Sequence, residues 1–421
     1  MNKPSKRIVR TYVSVTLLST FASSFIWGIN TLFLLDAGLT ITEAFTANAF
    51  FTAGEVIFEI PTGIVADTRG RRMSFLLGTA TLFLTTFAYL WLWHIKGPFW
   101  AWAAVSMLLG LGFTFFSGAT EAWLVDGLNA AGYKDRLETV FAKGSIASGI
   151  AMLTGTVAGG LVAQFTNLGV PYMMRIAALG MTFAIAFFMM HDEGFSPKRG
   201  DSLWREIRDV LAGTINAGLR NAPVRWTMLS APFAGGVAIF AFYAMQPYLL
   251  QLYGKNAGYA IAGAAAAIVA GAQIVGGLLV PYVGRVFKRR TSVLITGMAI
   301  STATLVFIGI AGNFWVVLLL LALWSVIFAA LGPIRQSYIN GLVKSGERAT
   351  VLSADNLLNS AGGMVSQPAL GKIADVWGYP AAYVGSAAFQ VLALPFLLLA
   401  RREKARSDAI GRNDVAGEKT V

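Results

Sequence analysis

Twelve long apolar runs dominate this sequence, and they restrict it to one class of protein. Each run supplies the roughly 20 apolar residues that an α-helix needs to cross a bilayer. The runs are continuous and lack the period-2 alternation of outer-membrane barrel strands. Charged residues are only 13% of the 421 residues, about half the usual share of a soluble domain. The chain is therefore predicted to be an all-α membrane protein with twelve transmembrane helices. The predicted spans are 11–35, 42–66, 73–95, 99–127, 139–165, 171–191, 224–252, 257–284, 291–311, 313–342, 349–376 and 380–400.

The distribution of lysine and arginine predicts how the chain is oriented. With the N-terminus placed inside, both ends and the even-numbered connections carry 29 of the 33 Lys and Arg residues. Because basic residues are retained on the cytoplasmic side of a membrane, both termini are predicted to be cytoplasmic. This topology accounts for the net charge of +12 without a nucleic-acid partner. The expected form is a multi-pass monomer in the lipid bilayer of the cell inner membrane.

One long polar stretch, 192–223, divides the chain into two six-helix halves, 1–191 and 224–401, with a cytoplasmic tail over 402–421. Apolar residues at helical spacing over 203–211 predict an amphipathic helix within this linker. Such a helix can lie on the inner membrane surface. The same pattern also suits a tether whose apolar face packs on the helix bundle.

The two halves resemble each other at an offset of 214 residues. Two repeated halves are typical of secondary transporters, whose substrate site lies near the bilayer midplane between the repeats. The pseudo-symmetry therefore predicts a carrier. The matching segments are GIVADTRGR (63–71) with GLLVPYVGR (277–285) and SGATEAWLVDGL (117–128) with LGPIRQSYINGL (331–342).

The segment GIVADTRGRR (63–72) resembles the loop signature of the major facilitator superfamily, Gly-x3-Asp-x2-Gly-Arg-Lys/Arg. With twelve spans in two halves, the resemblance covers the whole chain. It implies the major facilitator fold and alternating access powered by an ion gradient, with spans one, four, seven and ten lining a central cavity. It also implies that Asp67, Gly70, Arg71 and Asp126 belong to a cytoplasmic charge cluster that latches the halves. Ordinary topogenic charge is the alternative explanation for the basic residues.

A second motif points to one branch of that superfamily. The segment GTVAGG (155–160) is similar to the Gly-Pro-x-x-Gly-Gly motif of its proton-coupled drug-efflux antiporters, with Thr156 in place of the proline. The sequence contains no Gly-x4-Gly-Lys-Ser/Thr loop, the motif with which P-loop ATPases bind nucleotide phosphates. An ion gradient is therefore the expected energy source, and no cofactor or metal is expected in a chain without cysteine.

Glu55 and Glu59 lie in the second predicted span, four residues apart. Residues at this spacing share one helix face, and an ionised acid near the bilayer centre costs about 2.5–3.5 kcal/mol. The pair is expected to hold at least one proton near neutral pH unless a cation neutralises it. A site that gains or loses a proton as water access changes would suit proton coupling. The alternative is that both acids bind a neighbouring helix by hydrogen bonds.

Glu121 lies in span four, and Arg335 is its partner in the repeat. Because the superfamily resemblance places both helices at the cavity, the two side chains are expected to face each other there. Glu121 could then take part in proton coupling, while Arg335 offers a rigid fork for an anionic group. A static ion pair, or an arginine that reaches the inner interface, is the alternative.

Four further residues in spans one and seven are candidates for the substrate cavity: Trp27, Asn30, Tyr243 and Gln246. Aromatic rings with a few convergent polar groups are typical of a small-molecule pocket. Aromatic residues in membrane spans also commonly face lipid or pack against other helices. Asp355 and Asn356 are expected to be solvated, because they lie within the first two turns of span eleven.

These features predict a proton-coupled carrier rather than an enzyme. The preferred interpretation is export of small amphipathic compounds or drugs in exchange for protons. One alternative is a proton-coupled uptake symporter for a nutrient or an oxyanion. The alternative from another class is a membrane sensor that keeps the carrier fold and transports nothing.

Overall fold

The computed structural model describes residues 2–134, 136–197, 205, 208, 212, 214–254, 258–344 and 347–410. Within these ranges the chain forms α-helices and no β-strand, which confirms the predicted fold class. A π-helical turn spans Thr214–Leu219, and a 3-10 turn spans Arg406–Asp408. The helices are α1 Lys3–Trp27, α2 Asn30–Asp36, α3 Ile41–Arg69, α4 Arg71–Ile95, α5 Phe99–Thr114, α6 Ala119–Ala130, α7 Leu137–Phe165, α8 Gly169–Met189, α9 Ala222–Tyr253, α10 Tyr259–Val286, α11 Arg290–Ile310, α12 Phe314–Asn340, α13 Arg348–Gln390 and α14 Ala393–Arg402.

Ten helical segments in the described part of the chain are long and apolar enough to cross a membrane. The bent pair α1 and α2 forms an eleventh candidate. One of the ten, Thr350–Arg402, contains 53 residues, which at about 1.5 Å per residue is enough for two spans. It is broken at Gly378, whose φ of 84° is not helical. The predicted spans eleven and twelve lie on either side of this break, so the chain is a multi-pass membrane protein.

Two of the predicted spans are discontinuous helices. In the first span, α1 and α2 meet at an angle of 49° across Gly28 and Ile29. In the fourth, residues 115–118 separate α5 from α6, and Gly118 has a φ of 66°. Glycine adopts this left-handed conformation without the steric cost of a Cβ. Broken helices at membrane depth are typical of transporter binding sites.

The described residues belong to two compact units, Met1–Glu206 with Lys255–Ala267, and Ile207–Gly254 with Ile268–Val421. Small residues allow close helix contact inside each unit, as is common in membrane bundles. In the first unit, a Cβ at Gly54 of α3 would overlap the carbonyl of Met107, and one at Gly110 would overlap that of Phe51. Helices α3 and α5 therefore cross at backbone distance beside Glu55.

Both units repeat one capping arrangement at the end that the sequence predicts to be cytoplasmic. In the first, the backbone N–H of Arg72 donates to Asp192 Oδ1 at 2.9 Å. In the second, the N–H of Thr291 donates to Asp408 Oδ1 at 2.8 Å. Each aspartate follows the last span of its half and caps the first turn of α4 or α11. The predicted amphipathic helix over 203–211 lies mostly outside the described residues.

Removing the Asp192 cap should produce a measurable loss of stability. We expect Asp192→Ala to lower the free energy of unfolding by about 1 kcal/mol, because the first turn of α4 loses an acceptor. Asp192→Asn keeps an acceptor oxygen and should lose less. Thermal unfolding of the purified protein in detergent measures both, with the exposed neighbour Glu193→Ala as control. Equal stability of Asp192→Ala and the control would contradict the assignment of the cap.

Candidate functional site

The two acids of α3 lie where that helix crosses α5. Glu55 is half-buried and lies close enough to Glu59 for the two carboxyls to interact electrostatically. The exposed Ile57 projects from the opposite side of α3, as the helical period of 3.6 residues requires. The carboxyls therefore share the face opposite Ile57, as the spacing of four predicts. Their role in proton coupling remains a prediction.

Glu59 contacts the break in span four directly. The hydroxyl of Ser117, between α5 and α6, donates to Glu59 Oε1 at 2.7 Å. Both residues belong to the first unit. This contact joins an ionisable group of span two to the point where the helix of span four is interrupted. The sequence contained a signal for the break, because Ser-Gly is a dipeptide that marks turns.

Glu121 is the third residue of α6, immediately after the same break. A carboxylate in the first turn of a helix is stabilised by the positive end of the helix dipole. The side chain is exposed, and Tyr12 of α1 lies near enough to interact with it electrostatically. Glu59 thus contacts the interruption through Ser117, and Glu121 follows it in the first turn of α6.

The predicted cavity residues Trp27 and Asn30 flank the other break, between α1 and α2. The Nδ2 of Asn30 donates to Asn48 Oδ1 at 3.3 Å, and the Tyr172 hydroxyl donates to Asn30 Oδ1 at 2.9 Å. Asn30 therefore connects α2 to α3 and α8. Next to it, the rings of Phe33 and Tyr172 stack at 3.9 Å. Asn48 and Tyr172 are polar partners that inspection of the sequence had not identified.

The glycines of the segment 155–160 are sites of close packing. A Cβ at Gly159 would overlap the carbonyl of Phe25 in α1. A Cβ at Gly160 would lie 2.8 Å from the Cα of Gly263, a residue of the same unit. The Thr156 hydroxyl donates to the carbonyl of Met152, one turn earlier, at 2.7 Å. Close helix contact is therefore a sufficient physical reason for the small residues of this motif.

Arg335 lies at the centre of a polar cluster in the second unit. Its Nε and Nη2 donate to the two carboxylate oxygens of Asp355 at 2.9 and 2.6 Å. Its Nη1 donates to Ser230 Oγ at 2.9 Å, and its Nη2 also donates to the Thr227 carbonyl at 2.6 Å. Four contacts therefore occupy a guanidinium group that has five N–H donors. The two bonds to Asp355 have the bidentate geometry that makes Arg–carboxylate pairs strong.

The expectation that Asp355 is solvated was wrong. The residue is only 7% exposed, because the cluster with Arg335 covers it. A buried carboxylate requires a counter-charge and hydrogen-bond donors, and the guanidinium provides both. The neighbouring Asn356 is exposed, as expected.

The Arg335–Asp355 pair forms part of the wall of a cavity inside the second unit. The cavity has a volume of about 470 Å³, within the range of ~300–1,000 Å³ found for small-molecule sites. The polar part of its wall also contains three side-chain amides. The other predicted cavity residues of this unit, Tyr243 and Gln246, lie further along α9, half-buried and fully buried respectively. The residues lining the cavity are Ala234, Leu294, Met298, Phe328, Ala329, Leu331, Gly332, Pro333, Arg335, Gln336, Leu352, Asp355, Asn356, Asn359 and Leu397.

The predicted latch residues form local contacts around the start of α4. Arg71 Nη1 pairs with Asp67 Oδ1 one turn earlier in the chain. Gly70 has a φ of 105°, and a Cβ there would overlap the carboxylate of Asp192. Asp126 lies in α6, where its carbonyl oxygen is 2.6 Å from the position of a Cβ at Gly194. A latch between the halves remains a prediction, whereas Asp192 is a member of this cluster that the sequence had not indicated.

Comparison with known proteins identifies the family. A profile of the Major Facilitator Superfamily matches residues 12–288 and, in a second match, residues 256–419. The solved structure of the nucleoside transporter NupG is similar, with a TM-score of 0.76, 13% identity, and 95% of this chain and 99% of that chain covered. A D-xylose-proton symporter has a TM-score of 0.69, 14% identity, and coverage of 94% and 97%. A peptide transporter, POT, in complex with sulfate has a TM-score of 0.74, 13% identity, and coverage of 96% of both chains.

A search of curated protein sequences finds no significant match. At such low identity the structural comparisons show a shared fold only. The superfamily profile, by contrast, covers nearly the entire chain. The chain therefore belongs to the major facilitator superfamily and is a membrane transporter of that type.

Proposed function

We propose that this transporter couples substrate movement to protons and exports small amphipathic compounds by alternating access. The observation that carries the proposal is the contact between Glu59 and Ser117 at the break in span four. A carboxyl that hydrogen-bonds to an interrupted helix can respond to rearrangement of that helix. Its water access, and hence its proton, then changes as the carrier alternates.

The surroundings of Glu59 support this role. Glu55 lies one turn away on the same face, and Glu121 lies in the first turn of the helix that follows the break. Ionisable groups within membrane spans are rare because they are costly, and they commonly mark proton or ion pathways. The second unit has no carboxyl at the positions that match Glu55 and Glu59, where Val269 and Gln273 stand. The asymmetry favours a functional role over a scaffolding role that both halves would need.

Export is the direction suggested by the antiporter-like segment 155–160 and by the position of the acids in the amino-terminal half. Uptake by proton symport is the second candidate. It is supported by similarity to a D-xylose-proton symporter and to nucleoside and peptide transporters. Transport into everted and right-side-out vesicles separates the two directions. A sensor with the carrier fold would produce no substrate-dependent proton movement in either preparation.

The proton-coupling proposal predicts the behaviour of two variants. In proteoliposomes with an imposed pH gradient, we expect Glu59→Gln and Glu55→Gln each to reduce gradient-driven transport at least tenfold. Exchange of substrate without a gradient should continue, because glutamine keeps the size and hydrogen-bonding capacity but cannot release a proton. The transported test compound is chosen by a thermal-shift screen of drugs and metabolites, as the one that most raises the melting temperature of the purified protein. Pyranine fluorescence inside the vesicles reports the proton movement.

The control is Glu138→Gln, an exposed acid in the first turn of α7. It makes the same chemical change away from the break and should transport like the wild type. If both α3 variants also accumulate substrate against a proton gradient like the wild type, these acids are not the coupling groups.

A further inference from the structure

We propose that the cavity of the second unit holds the substrate in that half, and that the substrate is electrically neutral. This substrate would carry hydroxyl or amide groups at one end and an apolar ring or chain at the other. This inference deepens the proposed function, because it assigns a substrate class to the carrier. It rests on the charges, amides and apolar side chains that line the cavity.

The charged groups on the cavity wall neutralise each other. Arg335 and Asp355 are the two charged residues among those that line it, and they are joined by two hydrogen bonds. Ser230 and the Thr227 carbonyl use two further guanidinium contacts. A ligand with a net charge would have to separate this pair or remain unpaired itself. Separating the pair would leave the buried carboxylate of Asp355 without its counter-charge, so the wall favours an uncharged ligand.

The remaining polar groups of the wall suit an uncharged partner. Gln336, Asn356 and Asn359 each present an amide that both donates and accepts hydrogen bonds. The side chains of Gln336 and Asn356 are exposed although they line the cavity. Amide groups pair well with hydroxyls, carbonyls and other amides, which are the polar groups of neutral metabolites and drugs. Three such amides can orient a ligand without adding charge.

The rest of the wall is apolar. Leu294 and Met298 of α11, Phe328 of α12 and Leu397 of α14 contribute side chains to it. Phenylalanine can stack on a flat ring, and methionine adapts to irregular shapes. A ligand of this cavity therefore needs an apolar face as well as its polar end. This differs from the sequence-based expectation that Arg335 leaves room for an anionic substrate.

The test is a thermal-shift and binding titration of the purified transporter in detergent. The titration is made at about pH 6, so that an α-amino group is protonated. The probes are N-acetylphenylalaninamide, which is neutral, phenylalaninamide, which is then cationic, and N-acetylphenylalanine, which is anionic. Two neutral nucleosides, uridine and thymidine, are titrated beside their monophosphates. We expect at least one neutral probe to bind, and each charged analogue to bind at least tenfold more weakly than its neutral counterpart.

Two variants of one exposed residue make the test specific to the cavity. Asn356→Asp is isosteric and adds a negative charge to the wall, so it should shift preference at least tenfold towards the cationic probe. Asn356→Leu removes the amide and should weaken neutral binding at least fivefold. Gln251→Glu makes the same charge change at an exposed position near the end of α9, outside the cavity, and should leave all affinities unchanged.

Three results would overturn the inference: charged analogues that bind the wild type as tightly as neutral ones, no binding by any neutral probe, or an Asn356→Asp variant with unaltered preference. Binding of the probes to the protein in detergent requires no proton gradient, so the result of the titration is independent of the coupling proposal. Proton-driven transport of a charged cargo would reject the substrate class alone. Binding of neutral probes without proton-driven transport would reject the coupling proposal alone.

Discussion

Asp355→Asn is expected to reduce the free energy of unfolding by about 3–5 kcal/mol, the usual cost of removing one partner from a buried ion pair. The substitution preserves the shape of the side chain and removes its charge. Arg335 would then retain its contacts with Ser230 and Thr227 but lose its counter-ion. Because its guanidinium cannot release its proton in a protein, the unpaired charge would remain within the helix bundle.

Arg335→Gln should cause a similar loss, because it leaves the carboxylate of Asp355 buried without a cation. The double variant Arg335→Gln/Asp355→Asn removes both charges, so it should be more stable than either single variant. The coupling free energy should therefore exceed the loss of either single variant, about 3–5 kcal/mol. Arg335→Lys should be intermediate, because lysine keeps the charge but not the planar fork that matches a carboxylate.

Thermal and chemical unfolding of the purified protein in detergent provide these values. The matched control is Asp375→Asn, which makes the same change at an exposed position of the same helix, α13. Exposed charge interactions are usually worth less than about 1 kcal/mol, so the control should remain close to the wild type. A strictly additive double variant would show that Arg335 and Asp355 do not stabilise each other.

A second large effect is expected from Gly362→Ala, which adds a single methyl group. Gly362 is buried in α13, and a Cβ there would overlap the carbonyl oxygen of Pro232 in α9. A Cβ at Gly236, one turn further along α9, would lie 2.6 Å from the carbonyl oxygen of Gly362, so the two helices are in close backbone contact here. Overpacking of a well-packed core costs about 1–3 kcal/mol or more. We expect the melting temperature to fall by several degrees.

The opposite sign is expected at Gly277, an exposed residue of α10 where a Cβ meets no atom within 4 Å. Here alanine should leave stability unchanged or raise it by about 0.5–1 kcal/mol, because glycine is the poorer helix former. The same glycine-to-alanine substitution is thus expected to lower stability at Gly362 but not at Gly277. Melting curves of both variants and the wild type supply the comparison. Equal melting temperatures for Gly362→Ala and Gly277→Ala would contradict the close approach of α9 and α13.

Hydropathy was enough to predict an all-helical, multi-pass protein, and the resemblance of GIVADTRGRR to a superfamily signature implied the fold. Lipid cannot satisfy exposed backbone groups, so a long apolar run has few alternatives to a spanning helix. The shared helix face of Glu55 and Glu59 was also predictable, because it depends on local spacing alone. Local periodicity is sufficient wherever the solvent, here the bilayer, imposes the secondary structure.

The partners of the polar residues could not be obtained in that way. Asp355 was expected to be solvated, yet its cation lies 20 residues earlier in the chain, and that cation also contacts Thr227 and Ser230, more than 100 residues away. The same holds for Asp192, whose partner, the N–H of Arg72 in the first turn of α4, lies 120 residues earlier in the chain. Hydropathy identifies which segments enter the membrane, whereas helix packing decides which polar groups meet there. Burial, charge pairing and the cavity depend on contacts between helices distant in sequence, which no local pattern specifies.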